Sequence, residues 1–158
     1  MIDTLCKNST IIKASEEDLQ SIIPGRTAEE AVRYLADAGA SNVVVTLGGN
    51  GVMFKEGKKE IVHIKPFSAK SEVEDGSLDF TGAGDSFGAG FMASYVKEQD
   101  MYKAALNGNA TASLVIQRSG GCTSVSYTHL DVYKRQPPEI IWIIMYLMLE
   151  QMLKLTFK

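Results

Sequence analysis

Cysteine is scarce in this chain, and several familiar patterns are missing from it. Cys6 and Cys122 are the only two cysteines among 158 residues, and no CxxC pair occurs. That excludes a disulfide framework and a cysteine-based zinc site, and it fits a reducing compartment. Charge of one sign is not in excess: 16 Lys and Arg stand against 19 Asp and Glu, a net of −3. Such a balance gives no basis for a nucleic-acid partner. The first residues, MIDTLCKNST, lack the charged start and apolar run of a secretory leader. The expected location is the cytoplasm. No apolar run approaches the ~20 residues of a membrane-spanning helix. The longest, Ile140 to Leu149, has ten.

What is present is ordinary for one globular domain: 45% apolar and 22% charged residues. Thr10 to Ile12 reads as a short strand. Ser15 opens a helix with Leu19, Ile22 and Ile23 on one face, stopped by Pro24-Gly25. Thr27-Ala28-Glu29-Glu30 is a capping box. It leads a helix with Ala28, Ala31, Val32 and Leu35 on one stripe, ended by Gly39. The apolar run Asn42 to Leu47 predicts a buried parallel strand. Gly51 to Lys55 and Glu60 to Ile64 predict a hairpin. Ser71 to Ser77 reads as a loop. Ala83 to Val96 and Met101 to Ile116 predict two helices rich in small residues, with Phe87, Phe91 and Val96 on one side of the first. The methionines and aromatics of residues 91–102 are expected in the core. The order implies an α/β sandwich.

The pattern breaks near residue 125. VSYTHLDVYKRQ, Val125 to Gln136, has no clear period. It can be back-translated into DNA that is its own reverse complement apart from the last two bases. A protein has no need of an inverted repeat. The DNA resembles two head-to-head copies of the transposase-end adapter used for sequencing libraries. The expectation is therefore a partial domain over residues 1–124 and an artefactual junction with an unrelated tail over 125–158. The other reading of the tail is an interfacial helix. Residues 1–124 carry 12 basic and 16 acidic residues, so the cytoplasmic expectation stands without the tail.

The chemistry concentrates in DFTGAGDSFGAG, Asp79 to Gly90. Gly82, Ala83 and Gly84 precede a predicted helix whose first N–H groups have no partner inside it. The helix dipole adds positive charge there, and glycines let an anion approach. Asp85 falls in the first turn, where a carboxylate could take a proton from an attacking hydroxyl. The alternative is that Asp85 only satisfies the helix terminus and that Gly88 and Gly90 permit close packing. There is no Gly-Lys-Ser/Thr ending, which excludes a Walker A loop. No hydrophobic strand precedes the glycines, which excludes a Rossmann fingerprint. VVVTLGGNG, Val43 to Gly51, puts glycines at a strand's carboxyl end, where open α/β sheets place ligands. A plain hairpin turn is the other reading. Ser15 to Asp18 suffices as a Ser-x-x-Asp cap. His63 alternates within a strand without a partner in sequence, and His129 lies inside the adapter-like segment.

DFTGAGDSFGAGFMASY resembles the second characteristic motif of the ribokinase-like (PfkB) family of sugar and nucleoside kinases, with only Phe80 off pattern. The resemblance runs from about residue 9 to Ser124. It implies the C-terminal, ATP-binding part of an α/β/α sandwich. It implies Asp85 as the catalytic base and the amides of Gly82, Ala83 and Gly84 as an anion hole. Thr46, Gly48 and Gly51 match the family's T-x-G-x-x-G, which contacts ATP. Asn109, in GNATAS, matches the asparagine near the adenine. Asp79 and Thr81 lie where relatives bind a monovalent cation such as K+. Asp18 corresponds loosely to an outer-sphere Mg2+ residue. The acceptor implied is a small-molecule sugar, with fructokinase-like wording in IIKASEEDL. The alternatives are a nucleoside kinase fragment and a non-catalytic nucleotide-binding remnant. A homodimer in an intact parent is left open. The family's N-terminal half, with its lid and most acceptor contacts, has no counterpart here, so turnover is not expected from this chain alone.

Overall fold

Two Ser/Thr-x-x-Asp/Glu boxes set the first part of the chain. The computed structural model describes residues 2–72 and 76–120. The expectations for Cys122, His129 and residues 125–158, and the middle of the Ser71 to Ser77 loop, lie outside them. Helix α1 (Ile2–Asn8) precedes strand β1 (Ile12–Ser15) and helix α2 (Glu16–Ile22). Ser15 Oγ accepts from Asp18 N at 3.1 Å, and Asp18 Oδ2 accepts from Ser15 N at 2.9 Å. Helix α3 (Ala28–Asp37) starts in the same way, Thr27 against Glu30. Each box satisfies two N–H groups that the helix itself cannot. Leu19 is buried under α2, whereas Ile22 points outward, 52% exposed. On α3 the predicted stripe holds, with Ala31, Val32 and Leu35 buried.

Strand β2 (Asn42–Thr46) is joined by a 3-10 turn, Gly48–Asn50, to β3 (Val52–Glu56), followed by β4 (Val62–Ile64). The sheet order is β1-β2-β3-β4. β2 runs parallel to β1, with Ile12 opposite Val43 and Ser15 opposite Thr46. It runs antiparallel to β3, and β3 antiparallel to β4. The strand expected to be parallel is so toward β1 and antiparallel toward β3. β1 also lies three residues later than expected on its far side. Its register follows the pairing with β2, which recruits Lys13 and Ala14 despite their weak strand preference.

Side chains of a strand alternate between faces, and β2 uses both. Val43 and Val45 join the core formed with Leu19, Val32 and Leu35 on one face. Val44 joins Val52, Phe54, Phe87, Phe91 and Met101 on the other. Each such valine contributes about 1.5–3 kcal/mol on full burial. Helices thus cover both faces, α1 to α3 on one and α4 (Ala83–Glu98) with α5 (Met101–Val115) on the other. That is the α/β/α layering expected.

The packing of α4 on α5 depends on two glycines. A Cβ on Gly108 would come within 2.8 Å of Phe87 O, and one on Gly90 would collide with the Thr111 side chain. Gly88 faces open space. Phe87, Phe91 and Tyr95 form a column of stacked rings, centroids 5.9 Å apart. Tyr95 continues the i, i+4 row, and Val96, expected there, is half exposed. Of the expected core of residues 91–102, Phe91 and Met101 are buried, but Met92 and Tyr102 are exposed. Among the described residues no helix is long and apolar enough to cross a membrane.

Candidate active site

A cavity of about 660 Å³ opens where the carboxyl ends of β1 and β2 meet the amino end of α4. Its wall includes Ser15, Thr46, Gly48, Gly51, Gly84 and Asn109, contributed by elements far apart in sequence. The two glycine segments singled out from the sequence are thus brought to one place. Residues that no motif pointed to complete the wall, Pro66, Phe67 and Leu78 among them. Phe80, the residue off the family pattern, also lines it and is 60% exposed.

Gly82 caps α4 in the left-handed conformation, φ 75°, which a residue with a side chain adopts only at a cost. It offers no side-chain cap. Ala83 N donates to Phe80 O at 3.1 Å, so this amide is committed to the turn. The amides of Gly82, Gly84 and Asp85 have no backbone acceptor among the described residues. Of the three amides expected to form an anion hole, those of Gly82 and Gly84 have no backbone acceptor, and that of Ala83 is taken by Phe80 O. The reason is the tight turn that the left-handed Gly82 creates.

Asp85 is exposed, in the first turn of α4. Its carboxylate takes no hydrogen bond or ion pair from any described residue, in contrast to Asp18, Asp79 and Asp100. It does not satisfy the helix terminus. Of Gly88 and Gly90, the packing alternative holds for Gly90, whose Cβ would meet Thr111, and not for Gly88.

The 48–51 segment is a hairpin turn and a cavity wall at once. Leu47 N donates to Gly51 O at 2.8 Å, and Gly51 N to Gly48 O at 3.1 Å. Gly51, φ 91°, is required because a Cβ there would collide with Ile64 O, whereas Gly48 is open. Thr46 Oγ1 lies 3.5 Å from Ala14 O. His63, exposed, places Nε2 2.8 Å from Asn50 O. Asn109 is buried, and its Nδ2 donates to Lys65 O at 2.8 Å. It thereby holds the Pro66–Phe67 wall.

Asp79 meets the end of α5 through its N–H to Ile116 O at 3.0 Å. Asp79 Oδ1 accepts from Thr81 N at 2.9 Å and Oδ2 from Gly120 N at 2.7 Å. The Gly120 amide foremost, then the Thr81 hydroxyl and amide, hold the Asp79 carboxyl down at about 2. Asp18 is also lowered, first by its bond from Ser15 N. Among the described residues no group of three or more His, Cys, Asp or Glu could hold a metal ion. The donor set therefore fits a magnesium ion only if its ligands come mainly from phosphate oxygens and water.

A family model, pfkB family carbohydrate kinase, matches residues 1–127. The chain belongs to the pfkB family. It is 31% identical over 119 residues to an uncharacterized sugar kinase of Archaeoglobus fulgidus, covering 75% of this chain and 44% of that protein. It is 40% identical over 85 residues to a nucleoside kinase of Methanocaldococcus jannaschii, covering 52% of this chain and 26% of the relative. Its fold matches the crystal structure of fructokinase from Vibrio cholerae O395 with fructose, ADP and calcium bound. The TM-score is 0.63 and the identity 27%, covering 73% of this chain and 37% of that one. The pfkB chain thus spans less than half the length of the relatives it matches, and its layers are those of part of a ribokinase-like domain.

Proposed function

We propose that this chain is the phosphoryl-donor part of an ATP-dependent kinase acting on a hydroxymethyl group of a sugar. The observation that carries the reading is the Asp85 carboxylate without a described partner, next in sequence to Gly84, which lines the cavity and whose amide has no backbone acceptor among the described residues. Asp85 takes the proton of the acceptor hydroxyl. The hydroxyl oxygen forms the new bond to the γ-phosphorus, and the bond to the bridging oxygen of ADP breaks. The amides of Gly82, Gly84 and Asp85 hold the charge on the transferred group. Thr46, Gly48 and the apolar wall around Phe67 seat the nucleotide, and Asn109 positions that wall. Magnesium carried by the nucleotide phosphates supplies charge neutralisation, with Asp18 at most in its outer sphere. A K+ ion beside Asp79 and Thr81 is part of the same reading. The acceptor pocket, and with it turnover, is assigned to sequence that the longer relatives have in addition. Residues 125–158 are proposed as a junction and tail outside the kinase domain, supported by the family match ending at residue 127.

A nucleoside acceptor is the second reading, favoured by the 40% identity to the M. jannaschii nucleoside kinase. Calorimetric titration with ATP tests the shared core of both. Saturable binding supports it, and its absence from a cooperatively folded chain leaves a non-catalytic remnant. In an intact kinase carrying this segment, Asp85→Asn should lower kcat about 10²–10⁴-fold with ATP affinity nearly unchanged. Near-normal turnover would remove Asp85 from its role.

A further inference from the structure

Asn-Gly occurs twice in the chain, at Asn50-Gly51 and at Asn107-Gly108. Such a step has a chemistry of its own. With no Cβ on the glycine, its backbone nitrogen can reach the carbonyl carbon of the asparagine side chain. The fold treats the two steps oppositely. Asn107 lies inside α5, and its Nδ2 donates to Ser94 Oγ at 2.9 Å. Gly108 is packed so closely that a Cβ there would come within 2.8 Å of Phe87 O. Both side chain and backbone are held. Asn50 is exposed, and its side chain makes no hydrogen bond with a described residue. The bond that it receives is at its backbone, where His63 Nε2 lies 2.8 Å from Asn50 O. A carbonyl only accepts, so Nε2 carries the proton. A donor there stabilises the negative charge that spreads onto this carbonyl when Gly51 N loses its proton. The Gly51 N–H is held by one bond, to Gly48 O at 3.1 Å, at the end of a 3-10 turn of three residues. Bonds of this kind are poorly aligned, and an exposed turn opens at low cost.

We infer that Asn50 is a site of spontaneous modification, converted to aspartate and isoaspartate while Asn107 is spared. Gly51 N loses its proton and bonds to Asn50 Cγ. The bond from Cγ to the side-chain nitrogen breaks, and ammonia leaves with the proton. Water then opens the succinimide so formed. Breaking the new bond leaves aspartate. Breaking the original peptide bond leaves isoaspartate, with the main chain running through Cγ. No atom changes oxidation state. Gly48, Gly49 and Gly51 line the cavity on either side of Asn50. Both products add a carboxylate to this turn. Isoaspartate also lengthens its main chain by a methylene, where even a Cβ on Gly51 would collide with Ile64 O. The effect on ligand binding rests on the nucleotide reading above: a modified turn repels the phosphates it would seat.

The test is to age the full chain at mildly alkaline pH, folded and in urea, and to follow both steps by peptide mapping with mass spectrometry. Isoaspartate is detected by isoaspartyl methyltransferase labelling. In the folded chain the Asn50 peptide should convert about tenfold faster than the Asn107 peptide, because a helix interior opens less often than an exposed turn. In urea the two should convert at similar rates. An unchanged Asn50, or equal rates in the folded chain, overturns the assignment. ATP titration of fresh and aged protein reads the consequence. Aged wild type should lose binding in proportion to the converted fraction, and aged Asn50→Ser, which has no side-chain amide, should keep it. Full binding by converted protein overturns the effect on the cavity and leaves the modification standing. If fresh, folded wild type binds no ATP, the nucleotide reading fails and the modification is judged on the peptide map alone. Should Asn50→Ser melt lower than wild type, Asn50→Gln replaces it under the same criteria.

Discussion

The carboxylate of Asp79 accepts the amide of Gly120 at 2.7 Å across 41 residues of sequence. The same aspartate donates its own N–H to Ile116 O at 3.0 Å, and Glu72 N donates to Gln117 O at 2.8 Å. The loop before the glycine motif is thus laced to the end of α5, which lines the cavity through Asn109, Ser113 and Ile116. The carboxylate is the hub, because it faces amides that only its charged form satisfies well.

The acid limb of stability should report this hub. Asp79 has its folded pKa lowered to about 2 from 3.8. Its contribution is therefore fully present above pH ~4 and is lost as pH falls from about 4 toward 2. Thermal melts between pH 2 and 6 should show a steeper acid decline for wild type than for Asp79→Asn. Parallel curves would remove Asp79 from that role.

The glycines of α4 and α5 should separate by sign. Gly88→Ala places its methyl in open space and should stabilise by about 0.5–1 kcal/mol, as alanine is the better helix former. Gly108→Ala drives a methyl to 2.8 Å from Phe87 O and should cost about 1–3 kcal/mol. Urea unfolding of the two variants compares them directly. Equal effects would mean that the helices are not in this contact.

Asn109→Ala removes the donor to Lys65 O and should cost about 1 kcal/mol. If Asn109 acts by holding the wall, Asn109→Asp should weaken ATP and Asn109→Gln should not restore it, as the reach differs by one methylene. Crystal structures of both variants would show the Pro66–Phe67 segment displaced. An unmoved segment with weaker ATP would instead indicate direct contact with the nucleotide.

Ser15 and Asp18 form a reciprocal cap. Ser15→Ala and Asp18→Ala should each destabilise by about 0.5–2 kcal/mol and combine with less than additive effect. The magnesium dependence of ATP binding by Asp18→Ala is the discriminating measurement. No change would leave Asp18 as a cap alone.

The local elements of this chain were legible because each rests on neighbours in sequence. Both capping boxes and the α3 stripe are short-range patterns and form as read, and the apolar run forms the buried strand β2. The membership in the pfkB family was legible too, since the glycine motif is a contiguous string. Tertiary structure decided what strings do not contain. Pairing with β2 moved β1 onto Lys13 and Ala14, and β3 made β2 parallel on one side only. The left-handed turn at Gly82 committed the Ala83 amide to Phe80 O. Contact between α4 and α5 separated Gly90, which packs, from Gly88, which does not. Lys13 acquired a neighbour at Gly84 only when strand and helix met. Sequence by itself determined which segments become helices, strands and a glycine turn, because propensity and capping act over a few residues. The tertiary structure alone decided that the glycine segments of β2 and α4 and Asn109 of α5 line one cavity, because that depends on packing between residues dozens of positions apart.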